Sequence, residues 1–192
     1  MATVATKLMT TEELLALPDD GVERWLIRGE LREGGMTYRN RYHARVTTCV
    51  SYYLEAWRLG QPEPRGSVLS GEAGVRLRDD PDTTAGIDVV YISAELAAKQ
   101  PDDSTLIVGV PDLVAEVQSP SDKLEETHEK IDEYLTAGVK VVWVLNPYVR
   151  TVTVFRPGEE PELFNAKQEL TAEPVLPGFR VPVAKLFERT FS

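Results

Sequence analysis

Pro111-Asp-Leu-Val-Ala-Glu-Val-Gln-Ser-Pro-Ser-Asp122, with Lys130-Ile-Asp-Glu-Tyr-Leu-Thr-Ala-Gly138 and Val139-Lys-Val-Val-Trp-Val-Leu-Asn-Pro147 after it, is the stretch from which the fold is read. Leu113 to Val117 is a short, mostly apolar run, as expected of a central strand covered on both faces. Ser119 then stands as an N-cap, with Pro120 in the first turn and Asp122 three residues on, so a helix is expected to open there. It should run to about Ala137, where Gly138 can end it. Its spacing puts Leu124, Thr127, Ile131, Tyr134 and Leu135 on one face. Residues 139–145 form a second apolar strand, and Thr151-Val-Thr-Val-Phe155 alternates as a third beyond the Asn146-Pro147 turn. Strand, helix and strand in this order make a crossover unit of a mixed sheet, which places the chain in the α/β class.

Working towards the N-terminus, Ile87-Asp-Val-Val-Tyr-Ile92 is another short buried-type strand. Val75-Arg-Leu-Arg78 alternates as a half-buried one, ahead of turn-forming Asp79-Asp-Pro-Asp82. Val46, Val50, Tyr53, Leu54 and Trp57 recur at three-to-four spacing and predict a long helix over residues 39–57, ending before Gly60. Trp25-Leu-Ile27 and Glu30-Leu-Arg32 flank Gly29 as two short strands or one bent strand. Thr10-Thr-Glu-Glu13, followed by Leu14, Leu15 and Leu17, reads as a short capped helix stopping at Pro18.

The 192 residues, 42% of them hydrophobic, suffice for one core, so residues 1–192 are expected to form a single domain. No apolar run approaches a membrane span and the N-terminus lacks a signal-peptide layout, so a cytoplasmic protein is expected. Cys49 lies in an amphipathic stretch where a small buried residue suffices. The net charge of −10 argues against coating nucleic acid through overall charge. Arg24, Arg28, Arg32, Arg39, Arg41 and Arg45, against only Glu30 and Glu33, allow either a local basic face for a polyanion or a solvated face with scattered ion pairs.

Two acids sit where acids are rare. Asp88 and Glu116 each interrupt an apolar strand, and ionised carboxylates are almost never buried unless paired, protonated or metal-bound. Period-two geometry puts Asp88 on the face of Val90 and Ile92, and Glu116 on that of Val114 and Gln118. If their strands are neighbours, ionising both is costly without a cation, and Mg²⁺ or Mn²⁺ removes that conflict. Gln118 would add a side-chain oxygen or position a water. Lys130, with Lys123 on the same helix flank, would reach over the strand ends to hold a phosphate, or to help deprotonate a water if burial lowers its pKa. The structural alternative for Lys130 is an ion pair with Glu126.

The quoted segments resemble the Uma2 family of restriction-endonuclease-like proteins, formerly a domain of unknown function, within the PD-(D/E)xK nuclease superfamily. The resemblance continues through Gly29-Glu-Leu31, His43, Gly86-Ile-Asp-Val-Val-Tyr-Ile92, Arg150-Thr-Val-Thr-Val-Phe-Arg-Pro157 and Pro174-Val-Leu-Pro-Gly-Phe-Arg180. It covers most of the chain in order. It implies a restriction-endonuclease-like mixed sheet flanked by helices, carrying a metal-dependent Asp, Glu-x-Lys site. Asp88 takes the aspartate position, with Ile87 where the family usually has proline, and Glu116 takes the glutamate. Gln118 occupies the strand position of the superfamily lysine, and Lys130 matches a lysine that has migrated to the next helix. Glu30 and His43 match recurrent positions and are accessory candidates; for His43 the alternative is capping or packing.

The expected function is that of an Mg²⁺- or Mn²⁺-dependent endonuclease hydrolysing DNA. The alternative is a catalytically weak or inactive nuclease-fold protein that binds nucleic acid or a protein partner. Apolar residues in Leu163-Phe164 and in residues 176–187 would suit packing against a second subunit in a homodimer.

Overall fold

The computed structural model describes residues 8–34, 40–120 and 122–188. In chain order the elements are α1 (Thr11–Leu15), β1 (Glu23–Ile27), β2 (Glu30–Gly34), α2 (Arg41–Leu59), β3 (Ser67–Arg78), β4 (Thr83–Ile92), α3 (Ala94–Ala98) and β5 (Ile107–Val108). They continue with β6 (Leu113–Val117), α4 (Leu124–Ala137), β7 (Val141–Asn146), β8 (Thr151–Phe155), β9 (Glu162–Asn165), β10 (Glu169–Thr171), β11 (Arg180–Pro182) and α5 (Val183–Leu186). The main sheet runs β2-β1-β4-β6-β7-β8-β9, with β3 on the other edge of β4 and β5 beside β3. β6 and β7 are parallel and joined through α4, while β4 and β6 are antiparallel, so the sheet is mixed as expected.

Alternation along the central strands sorts side chains into two cores. Leu113, Ala115 and Val117 of β6, with Val141, Trp143 and Leu145 of β7, pack beneath Val46, Val50 and Leu54 of α2. Val114, Val142 and Val144 face the opposite way, onto Ile131 and Tyr134 of α4. Both faces are covered, which is why these strands read as nearly continuous apolar runs.

The helix starts follow local capping chemistry. Thr10 and Glu13 form the expected capping box on α1. Asn40 caps α2, its side-chain oxygen accepting from the amides of Tyr42 and His43. Arg39, expected to open that helix, lies outside the described residues.

Three expectations are corrected. Helix α4 begins at Leu124 with Lys123 at its N-cap, not at Ser119. Instead the Asp122 carboxylate accepts from the Ser119 amide, and the Asp122 amide donates back to the Ser119 carbonyl, closing a turn ahead of the helix. Ser121 lies outside the described residues. Leu124, expected on the inward face, is 65% exposed because it falls in the first turn, beyond the sheet edge. The C-terminal apolar segment folds back on its own chain. β10 and β11 pair, and Leu176, Phe179, Val181, Val183, Leu186 and Phe187 are buried with Phe164 in the α2-side core, leaving Leu163 exposed. Most of the apolar residues offered for a second subunit are therefore spent internally, whereas Leu163 is not. Among the described residues no helix is long and apolar enough to cross a membrane.

Candidate active site

Strand β4 forks. One edge pairs with β3 throughout; the other pairs with β1 at Thr84 and with β6 at Val89–Tyr91. Asp88 sits at the crotch, where the β4–β6 ladder stops at Val89↔Ala115. Its Oδ2 accepts the Val117 amide at 2.8 Å in place of a ladder bond. Opposite, β3 carries a bulge between Ser70 and Ala73, with Gly71 (φ 91°) and Glu72 (φ 59°) in left-handed conformations. A bulge inserts one residue and re-aims side chains near it. Ile87 consequently joins Val90 and Ile92 in the α4-side core. Simple alternation fails at Ile87, while Asp88, expected on that face, does border the α4-side cavity. The carboxylate lies in the fork and borders cavities on both sides of the sheet.

On the α2 side His43, 3% exposed, brings Nε2 to 3.1 Å from Asp88 Oδ2. With Nε2 carrying the proton, the ring donates to the same oxygen that the Val117 amide holds. His43 thus joins the site as a support for Asp88.

On the α4 side Glu116 and Asp88 share a cavity of about 250 Å³ with Lys130, Trp25 and Gln118. Glu116 Oε1 accepts from the Tyr134 hydroxyl at 2.5 Å. Burial raises its pKa most; Lys130 lowers it, Asp88 raises it, the Tyr134 hydrogen bond lowers it and Glu72 raises it, for a net push up to about 7. Two carboxylates on adjacent strands, each with one oxygen pinned by the protein, leave Asp88 Oδ1 and Glu116 Oε2 for a ligand as far as the described residues go. Among the described residues no set of three His, Cys, Asp or Glu side chains is placed to hold a metal. The two carboxylate oxygens on one cavity are the kind and number of protein donors that a hard ion such as Mg²⁺ takes.

Lys130 does not behave as the lowered-pKa base considered from the sequence. Burial pulls its pKa down, but Glu116, Glu23, Glu72 and Asp88 raise it further, so it stays an ammonium. Its Nζ lies 5.0 Å from the Trp25 ring centroid, a cation–π contact. The structural alternative is not adopted either, because Glu126 pairs with Lys123 at 2.6 Å.

Three of the described arginines of the basic run are paired with carboxylates, while exposed Arg41 lies over the Tyr42 ring and Arg45 donates to the Glu188 carbonyl. Arg24 binds Asp20 and Glu33. Arg28 reaches buried Glu133 at 2.6 Å, and Arg32 reaches Glu129 at 2.7 Å. The last two clasp the β1–β2 hairpin to α4 and set Lys130 over Trp25. Arg39 is outside the described residues. Glu30 is exposed, paired with Arg32 at 2.9 Å, and stands away from the cleft.

Gln118 reaches the cleft, but its oxygen is engaged. Asn146 Oδ1 accepts from the amides of Tyr148 and Val149, so Asn146 Nδ2 turns to Gln118 Oε1 at 2.8 Å. One lone pair of the oxygen expected to ligate an ion or position a water is thereby taken, and the amide NH₂ remains a donor. Sequence reading missed Trp25, Glu72 and the role of Tyr134. Tyr134 carried a signal, since a tyrosine on an inward helix face needs a partner for its hydroxyl.

A raised carboxyl pKa has a definite effect on stability. Between the ordinary value of 4.5 and about 7 the folded chain holds a proton on Glu116 that the unfolded chain has released, so this group's contribution turns increasingly unfavourable as pH rises through that window. Glu116→Gln should therefore stabilise the metal-free protein above pH 7, by about 3 kcal/mol for the full shift, with the gain vanishing near pH 4. Urea unfolding of both proteins at several pH values reads this directly. A gain that is flat with pH would contradict it.

A family model described as "Putative restriction endonuclease", Uma2, matches residues 11–184. No curated protein matches the chain. Among solved structures, one from Anabaena variabilis ATCC 29413, described as a "putative nuclease belonging to DUF820", is 18% identical. It superposes with a TM-score of 0.77 over 93% of this chain and 97% of its own. At that identity the likeness speaks for the fold, and it agrees with the mixed, helix-flanked sheet. With nearly its whole length matched, the chain belongs to the Uma2 family of restriction-endonuclease-like proteins.

Proposed function

We propose that this protein is an Mg²⁺- or Mn²⁺-dependent endonuclease hydrolysing phosphodiester bonds of DNA, with Asp88 and Glu116 holding the ion. The observation that carries the reading is the convergence of these two acids, from adjacent strands, on one cleft beneath Lys130. The same cleft is lined by Glu23, Glu33, Asp122 and Glu126, an acidic surround that repels phosphate unless a cation intervenes. When bound, the ion supplies Lewis acidity and a water of lowered pKa. The chain supplies the rest. The Val117 amide and His43 keep Asp88 turned so that Oδ1 is presented, and Tyr134 does the same for Glu116 Oε2. The Lys130 ammonium offsets charge on the phosphate, and the Gln118 NH₂ group donates to a phosphate oxygen or a water. A noncatalytic nuclease-fold protein that binds nucleic acid or a protein partner is the second reading, favoured by the engagement of Gln118 with Asn146 where the superfamily has a lysine.

Two measurements decide between them. Crystals soaked in Mn²⁺ should show anomalous density between Asp88 and Glu116, and the purified protein should nick supercoiled plasmid with Mn²⁺ but not with chelator. Density without nicking favours the noncatalytic reading; absence of both overturns the proposal. The support from His43 has its own consequence. His43→Ala should weaken Mn²⁺ binding by about ten- to a hundredfold, the range for partners that orient metal ligands. Calorimetric titration checks it, and unchanged affinity would remove His43 from the site.

A further inference from the structure

We infer that the groove beside the carboxylate cleft takes an unpaired nucleobase, so that the substrate is single-stranded or locally unpaired nucleic acid rather than continuous duplex. This rests on the proposed phosphodiester chemistry of the Asp88–Glu116 cleft. The groove, about 320 Å³, lies between the β7–β8 turn and the first turn of α4, and it shares Gln118, Asp122 and Thr127 with that cleft. Its walls are Tyr148 and Leu124, 47% and 65% exposed.

Tyr148 is held in place. Asn146 Oδ1 pins its backbone, Asn40 Nδ2 donates to its hydroxyl at 2.9 Å, and the Tyr42 ring packs edge-on at 6.3 Å. An aromatic ring fixed this way is a stacking platform that loses little freedom on binding. Gln118, with its oxygen committed to Asn146, offers a donor suited to the carbonyl oxygens and ring nitrogens of a base edge.

Charge supports the same occupant. A duplex is gripped largely through many phosphate contacts from lysine and arginine. Here the net charge is −10, Arg24, Arg28 and Arg32 are paired with carboxylates, and Arg41 lies over the Tyr42 ring beside the groove. A base stacked on an aromatic ring adds affinity that no phosphate contact has to supply.

The test titrates fluorescein-labelled single-stranded oligodeoxynucleotide, and the duplex of the same sequence, into Glu116→Gln protein, where hydrolysis does not blur the reading. The single strand should bind about tenfold more tightly than the duplex. Tyr148→Ala should lose about tenfold on the single strand, as for removal of one stacked base, and Tyr148→Phe should keep most of the affinity. Leu124→Ala, at the opposite exposed wall, should weaken the same complex. Equal binding of the two forms, or a Tyr148→Ala protein that binds single strand as the parent does, overturns the inference. Hydrolysis of bis(p-nitrophenyl) phosphate by the unsubstituted protein with Mn²⁺ separates the two levels. Turnover without Tyr148-dependent strand binding removes the subsite alone, and strand binding without turnover removes the catalytic reading alone.

Discussion

Asp88→Asn should reduce Mn²⁺-dependent DNA cleavage at least about a thousandfold, about 4 kcal/mol of barrier, while the protein remains folded. Asparagine has the same shape but one acceptor instead of two. If its oxygen takes over the bond from the Val117 amide, only an NH₂ group is left for the cleft, and that group cannot ligate a cation. Removing the charge also relieves repulsion on Glu116, whose pKa Asp88 helps to raise. Carboxyl titration by NMR should accordingly find Glu116 ionising at lower pH in the variant. Cleavage within a few-fold of the parent protein would show that Asp88 holds no ion needed for the reaction.

The largest stability effect is expected on the opposite face of the sheet from the Glu116 cleft. Trp143 is fully buried in β7, flanked by Ala115 and Val154 in the ladder, with the Phe179 ring 5.5 Å away. It joins the sheet to the returning C-terminal segment. Trp143→Ala should cost about 3–5 kcal/mol, the usual penalty for emptying so large a site. Trp143→Phe should cost far less. The indole Nε1 is buried with no hydrogen-bond partner among the described residues, and an unsatisfied buried donor itself costs about 1–3 kcal/mol, which the phenyl ring does not incur. Urea unfolding of both variants measures the difference. Equal losses would mean that the orphan N–H carries no penalty and that volume alone decides.

Much of this architecture can be read from residue order because the deciding signals are local. The apolar runs around Val114 and Val142, the Thr10–Glu13 capping pair and Gly138, which ends α4 at φ 109°, depend on neighbours a few positions away. The two acids announced themselves for the same reason, as charges inside apolar strands. That their strands are adjacent is a fact of the sheet.

Contacts between distant segments settled the rest. The α4 start moved because Asp122 prefers to close a turn on Ser119, a competition between two local hydrogen-bonding schemes that composition does not resolve. The C-terminal apolar residues looked available to a partner until the chain was seen to bury them under Trp143 and α2. Asp88 is the sharpest instance. Its residue type and strand marked it as chemical, and alternation along β4 pointed it to the α4-side cleft that it lines, but not to the contacts that hold it from the other side. The bulge at Gly71-Glu72 breaks the alternation, the fork between β1 and β6 leaves the Val117 amide to be satisfied, and His43 arrives from a helix forty-five residues earlier. Residue chemistry and local pattern thus name the acids, the helices and the strands. Where a carboxylate points, and which groups hold it there, follows from strand pairing and packing between residues far apart in the chain.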